Sequence, residues 1–121
     1  MVKVLVVEDN PLNLELILEI LLTRGFVVDT VDDGEKAIKI TENSSYDLIL
    51  MDIALPGIDG VETTRIIKSK SGYKNIPVVA LTAFAMAGDR ERLLNEGFSE
   101  YISKPLDIQD FIKKMDKYRK N

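Results

Sequence analysis

Apolar residues recur along the chain in two alternating rhythms. Short, near-continuous runs come first: "KVLVV" (Lys3 to Val7), "VVDTV" (Val27 to Val31), "LILM" (Leu48 to Met51), "PVVAL" (Pro77 to Leu81) and the more polar "EYISK" (Glu100 to Lys104). Runs of this length, rich in β-branched residues, predict strands buried on both faces. Between them lie longer stretches whose apolar positions repeat at helical spacing: "PLNLELILEILLTRG", "DDGEKAIKITEN", "DGVETTRIIKSK", "GDRERLLNEGF" and "LDIQDFIKKMDKYRK". Strand and helix alternate five times. That pattern predicts a parallel sheet with helices on both sides.

The element ends carry their own signals. Asn10 can cap the first helix, and Pro11 suits its first position. Gly25 supplies a left-handed stop and Phe26 can fold back onto the last turn; Gly97 and Phe98 repeat the device. Asp32 and Asp33 precede Gly34 as turn and cap residues, and Asp107 reads as the last helix's cap. Asp59 and Glu62 are spaced as a capping box. Pro77 is tolerated where it opens a strand. The basic close, "KKMDKYRKN", fits the negative end of a helix dipole.

Composition narrows the function. The 121 residues are 45% hydrophobic and 30% charged, enough for one core and one domain, 1–121. A net charge of -4 offers no basic surface for nucleic acid. With no cysteine there are no disulfides or thiolate metal sites. With no histidine, most hydrolase mechanisms lose their general base. The amino terminus meets Glu8 and Asp9 too soon for a signal-peptide core. The longest uncharged stretch, "NIPVVALTAFAMAG", is too short to span a bilayer. The expected location is cytoplasmic, with no membrane contact.

In sheets of this kind ligands bind beyond the carboxyl ends of the strands. Glu8, Asp9 and Asn10 follow the first strand, Asp52 the third, Thr82 and Ala83 the fourth, and Ser103, Lys104 and Pro105 the fifth. Each has an ordinary reading by itself: the acids as turn or capping residues, Thr82 as a cap, Lys104 as an exposed lysine. Their meeting on one edge is harder to explain that way. Two carboxylates about 4 Å apart repel by about 4 kcal/mol at an effective dielectric near 20. A hard divalent cation relieves that crowding, and Lys104 offsets part of the remainder. An all-oxygen site suits Mg²⁺ better than zinc. An aspartate is also a covalent acceptor of phosphoryl groups. Such transfer needs positioning and positive charge more than acid–base chemistry. Asp52 would accept, Thr82 would donate a hydroxyl hydrogen bond, and Lys104 would supply charge.

The stretches "LVVEDN", "LILMDIALPG", "VVALTA" and "YISKP" resemble the motifs of response-regulator receiver domains of two-component signalling, in order and across essentially the whole chain. "PVVALTAFAMAGD" and "YISKP" are similar to single-domain regulators of the DivK kind. The resemblance implies an α/β, flavodoxin-like, doubly wound five-stranded parallel sheet of order 2-1-3-4-5. It implies Mg²⁺ held by Glu8, Asp9, Asp52 and the backbone carbonyl of Ala54. It implies that Asp52 takes the phosphoryl group, that Thr82 and Lys104 hold its oxygens, and that Tyr101 is an aromatic switch. It also implies a cis Lys104–Pro105 bond. The protein would be no enzyme beyond its own phosphorylation and dephosphorylation. Its partners would be a histidine kinase or phosphotransfer protein and a downstream protein target, with the chain a monomer or weak dimer.

Phe84 is expected either to shield the acyl phosphate from water, slowing its loss, or to be a plain loop aromatic. Gly88 reads as a turn residue or as a pliable end of the fourth helix. A phosphatase with an aspartyl-phosphate intermediate would want a second acid at Ala54, which is missing. A nucleotide or flavin binder would want glycines where "EDNPLN" has two acids. A scaffold that has lost the chemistry would not need the whole set of site residues.

Overall fold

The computed structural model describes residues 1–83 and 88–119. The elements run β1 (Lys3–Val7), α1 (Pro11–Thr23), β2 (Val27–Val31), α2 (Gly34–Asn43), β3 (Leu48–Asp52), α3 (Gly60–Lys68), β4 (Val78–Thr82), α4 (Asp89–Asn95), β5 (Glu100–Ser103) and α5 (Ile108–Asp116). The strands pair in parallel in the order β2-β1-β3-β4-β5. The alternation read from the sequence, and the order implied by the resemblance, are both present.

Side-chain alternation within the strands builds two apolar layers. Val4, Val6, Leu48, Leu50, Val79, Leu81 and Ile102 face α1 and α5, where Ile17, Leu21, Phe111 and Met115 meet them. Leu5, Val7, Ile49, Met51, Val78 and Ala80 face the other way, against Ala37, Ile67, Leu93 and Phe98. Every residue of β3 and β4 is buried, as their unbroken apolar runs require. β2 differs because it is an edge strand. Its residues are exposed or half-buried, which tolerates Asp29 and Thr30.

The helix ends follow the local signals. Asn10 Oδ1 accepts from the Leu12 and Asn13 amides, each at 3.0 Å. Asp33, Asp59 and Asp107 cap α2, α3 and α5 by accepting from the amides of Lys36, Glu62 and Asp110. The capping box is only half-formed: the Glu62 carboxylate accepts from Arg65 instead of turning back to Asp59. After α1, Gly25 sits at φ 90° while Phe26 N donates to Leu21 O at 3.1 Å. After α4, Gly97 and Phe98 repeat this, with Phe98 N donating to Leu93 O at 3.1 Å. Both phenylalanines are thereby turned into the core. Gly88 is the cap of α4, at φ 91°. No helix among the described residues is long and apolar enough to cross a membrane.

Candidate active site

The chain leaves β1 for β2 on one side and returns to β3 on the other, so the connections leaving the carboxyl ends of β1 and β3 run to opposite sides and open a crevice between them. Glu8 and Asp9 stand at one lip of this opening. Asp52 stands at the other, and it is the last residue of β3 itself, in register with Leu81. Thr82 is likewise the last residue of β4, in register with Ser103. The sequence placed both residues after their strands. The extra ladder position matters, because it ties the Asp52 backbone to the sheet.

Carboxylate oxygens of Glu8, Asp9 and Asp52 all lie within 4.8 Å of one another. Their surroundings differ. Glu8 is fully buried and Asp52 is 2% exposed, whereas Asp9 faces solvent. Burial of two acids needs compensation, and Lys104 provides it. Its Nζ stands 3.0 Å from Glu8 Oε1 and 3.1 Å from Asp52 Oδ2. The Lys104 amide donates to Thr82 O at 2.8 Å, which fixes the base of the side chain to β4. The Lys104–Pro105 bond is cis.

The remaining oxygens are held by backbone. Asn10 N donates to Glu8 Oε2 at 3.0 Å, and Ala54 N donates to Asp52 Oδ1 at 3.0 Å. Glu8 Oε1 is the exception. Lys104 Nζ at 3.0 Å is its partner by charge, and among the described residues this buried oxygen has no other donor. Burial raises the Glu8 carboxyl above its ordinary value of 4.5 and the Asp52 charge adds to this; the Asn10 amide and Lys104 pull the other way. Burial also opposes the charge of Lys104, but the two carboxylates outweigh it and hold the ammonium above the usual 10.5.

These features fit a hard cation. The donor set is all oxygen, the chain has no histidine or cysteine, and one buried carboxylate oxygen keeps an unfilled acceptor position. A single lysine shared between two carboxylates leaves an excess of negative charge, and Asp9 adds to it.

Of the residues singled out in the sequence, Glu8, Asp9, Asp52 and Lys104 converge directly, and Ala54 joins through its amide. Thr82 is 4% exposed at the same edge. Tyr101 lies one strand away, half-buried against the core layer shared with Ala80. Phe84 lies outside the described residues. The Asn10 amide on Glu8 could not be read from the residues, because that contact depends on the turn between β1 and α1.

Comparison with known proteins gives the same picture. The model of the response regulator receiver domain matches residues 4–116. The polar-differentiation response regulator DivK of Brucella anthropi is 40% identical over 116 residues, which span 96% of this chain and 94% of that protein. The receiver domain of a sensor histidine kinase from Pseudomonas aeruginosa, with a magnesium ion coordinated in its active site cleft, superposes with a TM-score of 0.86 at 38% identity, covering 96% of this chain and 95% of that one. A chemotaxis response regulator of Vibrio cholerae superposes with a TM-score of 0.91 at 25% identity, covering 97% and 98%.

Proposed function

Because the chain belongs to the family of response-regulator receiver domains, we propose that Asp52 accepts a phosphoryl group from a phosphohistidine partner and that the gain of charge alters a protein-binding surface. One observation carries this reading. Asp52 is a nearly buried carboxylate paired with a lysine at 3.1 Å, beside two further acids within 4.8 Å. A carboxylate kept for stability alone would not be crowded in this way.

In the transfer, an Asp52 oxygen attacks phosphorus. The new oxygen–phosphorus bond forms as the bond to the donor's imidazole nitrogen breaks, and that nitrogen keeps the electron pair. These 121 residues include no histidine, so the phosphohistidine lies outside them. The Ala54 amide on Oδ1 orients the carboxylate before attack. Lys104, held by Glu8 as well as Asp52, stays in place to neutralise charge on the transferred group. Thr82 supplies a hydroxyl donor at the same edge. Mg²⁺, held by Glu8, Asp9, Asp52 and the Ala54 carbonyl, would supply further positive charge to the phosphoryl oxygens. Glu8 thus has two tasks, as a cation ligand and as the anchor of Lys104.

The phosphoryl group adds roughly one to two negative charges and new acceptor oxygens. Thr82 and Tyr101 lie on neighbouring strands, with Tyr101 two positions before Ser103, the partner of Thr82. Movement of Thr82 toward the phosphoryl group gives Tyr101 room to turn inward. The surface of α4, β5 and α5 then presents a different face to a protein partner. Incubation with Mg²⁺ and acetyl phosphate, read by intact mass, tests the acceptor. Wild type gains one phosphoryl group and Asp52→Asn gains none; equal uptake by the variant overturns the proposal.

A further inference from the structure

The geometry points to Gly60 as a positioning residue for the acceptor, a role that rests on the reading of Asp52 above. Gly60 is the first residue of α3, in the sequence "IDGVE". Its backbone lies so close to the end of β3 that a Cβ built on it would fall 2.2 Å from Asp52 O, 2.8 Å from Ile53 Cα and 2.9 Å from Asp52 C. Real Cβ atoms essentially never come within 3.0 Å of another heavy atom, and all three neighbours here are backbone. Rotating a side chain cannot relieve the overlap. Gly60 N also donates to Ile53 O at 2.9 Å, so the first turn of α3 is fastened to the two residues it presses against.

The reason for glycine here is contact, since the position needs no left-handed backbone. Any larger residue must push α3 and the end of β3 apart. The displaced atoms are the carbonyl of Asp52 and the backbone leading to Ala54, whose amide holds Asp52 Oδ1 at 3.0 Å. A shift at Gly60 therefore turns the acceptor carboxylate away from Lys104 and from the cation position. The seat is braced from behind. Asp59 accepts from the Glu62 amide at 2.8 Å and its carbonyl accepts from Thr63 Oγ1 at 2.7 Å.

Leu21 provides a control for a general loss of stability. It is fully buried in the layer formed with α1 and α5, near the carboxyl end of α1. Magnesium affinity of metal-free protein, measured by calorimetric titration with Mg²⁺ alone, separates the two. Gly60→Ala is expected to lose about tenfold in affinity, one unit in log K or ~1.4 kcal/mol. It should also take up phosphoryl from acetyl phosphate at least tenfold more slowly. Leu21→Ala is expected to lower the urea midpoint yet stay within twofold of wild type in Mg²⁺ affinity. If Gly60→Ala binds Mg²⁺ as wild type does, the positioning role is wrong. If wild type itself does not bind Mg²⁺, the reading of the acidic cluster fails instead. A second measurement needs no variant: hydrogen exchange of the Gly60 amide in wild type. Saturating Mg²⁺ should slow it at least fivefold while the Ser69 amide is unchanged; an unaltered Gly60 rate overturns the inference.

Discussion

At the amino end of the sheet, Tyr46 donates to Asp29 Oδ2 at 2.6 Å and Tyr73 donates to Ser44 O. Lys3 N donates to Asp47 Oδ2 at 2.9 Å, and Asp47 N returns a bond to Lys3 O at 2.8 Å. At the carboxyl end, two of three clustered acids share a lysine, and a buried Glu8 oxygen has no donor besides that lysine among the described residues. Both ends bring loops together over the same strands. One pairs its polar groups locally and gains stability. The other holds negative charge that a cation or a phosphoryl group can use, and it gives up stability to do so.

The strongest way to break this contrast is to remove the shared lysine. Lys104→Ala leaves Glu8 and Asp52 without their cation, and breaking such a buried pairing costs about 3–5 kcal/mol. Urea denaturation at pH 7 should show a loss of that order, and a smaller one at pH 5, where Glu8, raised by burial, takes up protons. Added Mg²⁺ should recover more stability in the variant than in wild type. A variant as stable as wild type without metal would mean that the carboxyl end is no more strained than the amino end.

The amino end should respond less. Tyr46→Phe removes one hydroxyl from a half-exposed carboxylate and is expected to cost about 1 kcal/mol. Its Mg²⁺ affinity should match wild type in the same titration. A fall in affinity would show that the two ends are coupled through the sheet.

A pH series sharpens the comparison without mutation. The Glu8 carboxyl is raised in the folded state, so the folded chain binds more protons than the unfolded one above pH 4.5. Stability of the metal-free protein should therefore fall as pH rises from 4.5 through the raised value. Saturating Mg²⁺ should flatten that decline, because the ion takes over from the proton. The raised Lys104 contributes stability throughout this window and loses it only when pH climbs above 10.5. Midpoints of urea denaturation between pH 4.5 and 8 measure the slope; a rise with pH specific to Glu8, absent in Glu8→Gln, contradicts the assignment.

The smallest effect is expected away from both ends. Thr64 in α3 is fully buried and its hydroxyl has no hydrogen-bond partner among the described residues. Thr64→Val keeps the shape and removes the unsatisfied group, so a gain of about 1 kcal/mol is expected. A loss would show that the hydroxyl is satisfied by water.

Element order and helix ends could be read from residues alone, because each depends on neighbours a few positions apart; the acidic edge could be read too, because a parallel sheet brings the carboxyl ends of its strands to one side. The Gly25–Phe26 and Gly97–Phe98 stops illustrate this, since the glycine sets the backbone and the next residue turns inward. So do the caps at Asn10, Asp33 and Asp107. What tertiary structure decided is how the charges are shared. Glu8 and Asp9 are adjacent acids with the same chemistry, yet one is sealed against Lys104 and the other faces water. The Gly60 seat on Asp52 and the bond from Tyr46 to Asp29 join positions that only the packed sheet brings together. Periodicity reports which residues must leave water. It carries no information on which buried groups then meet, because that depends on distances set by elements far apart in the chain.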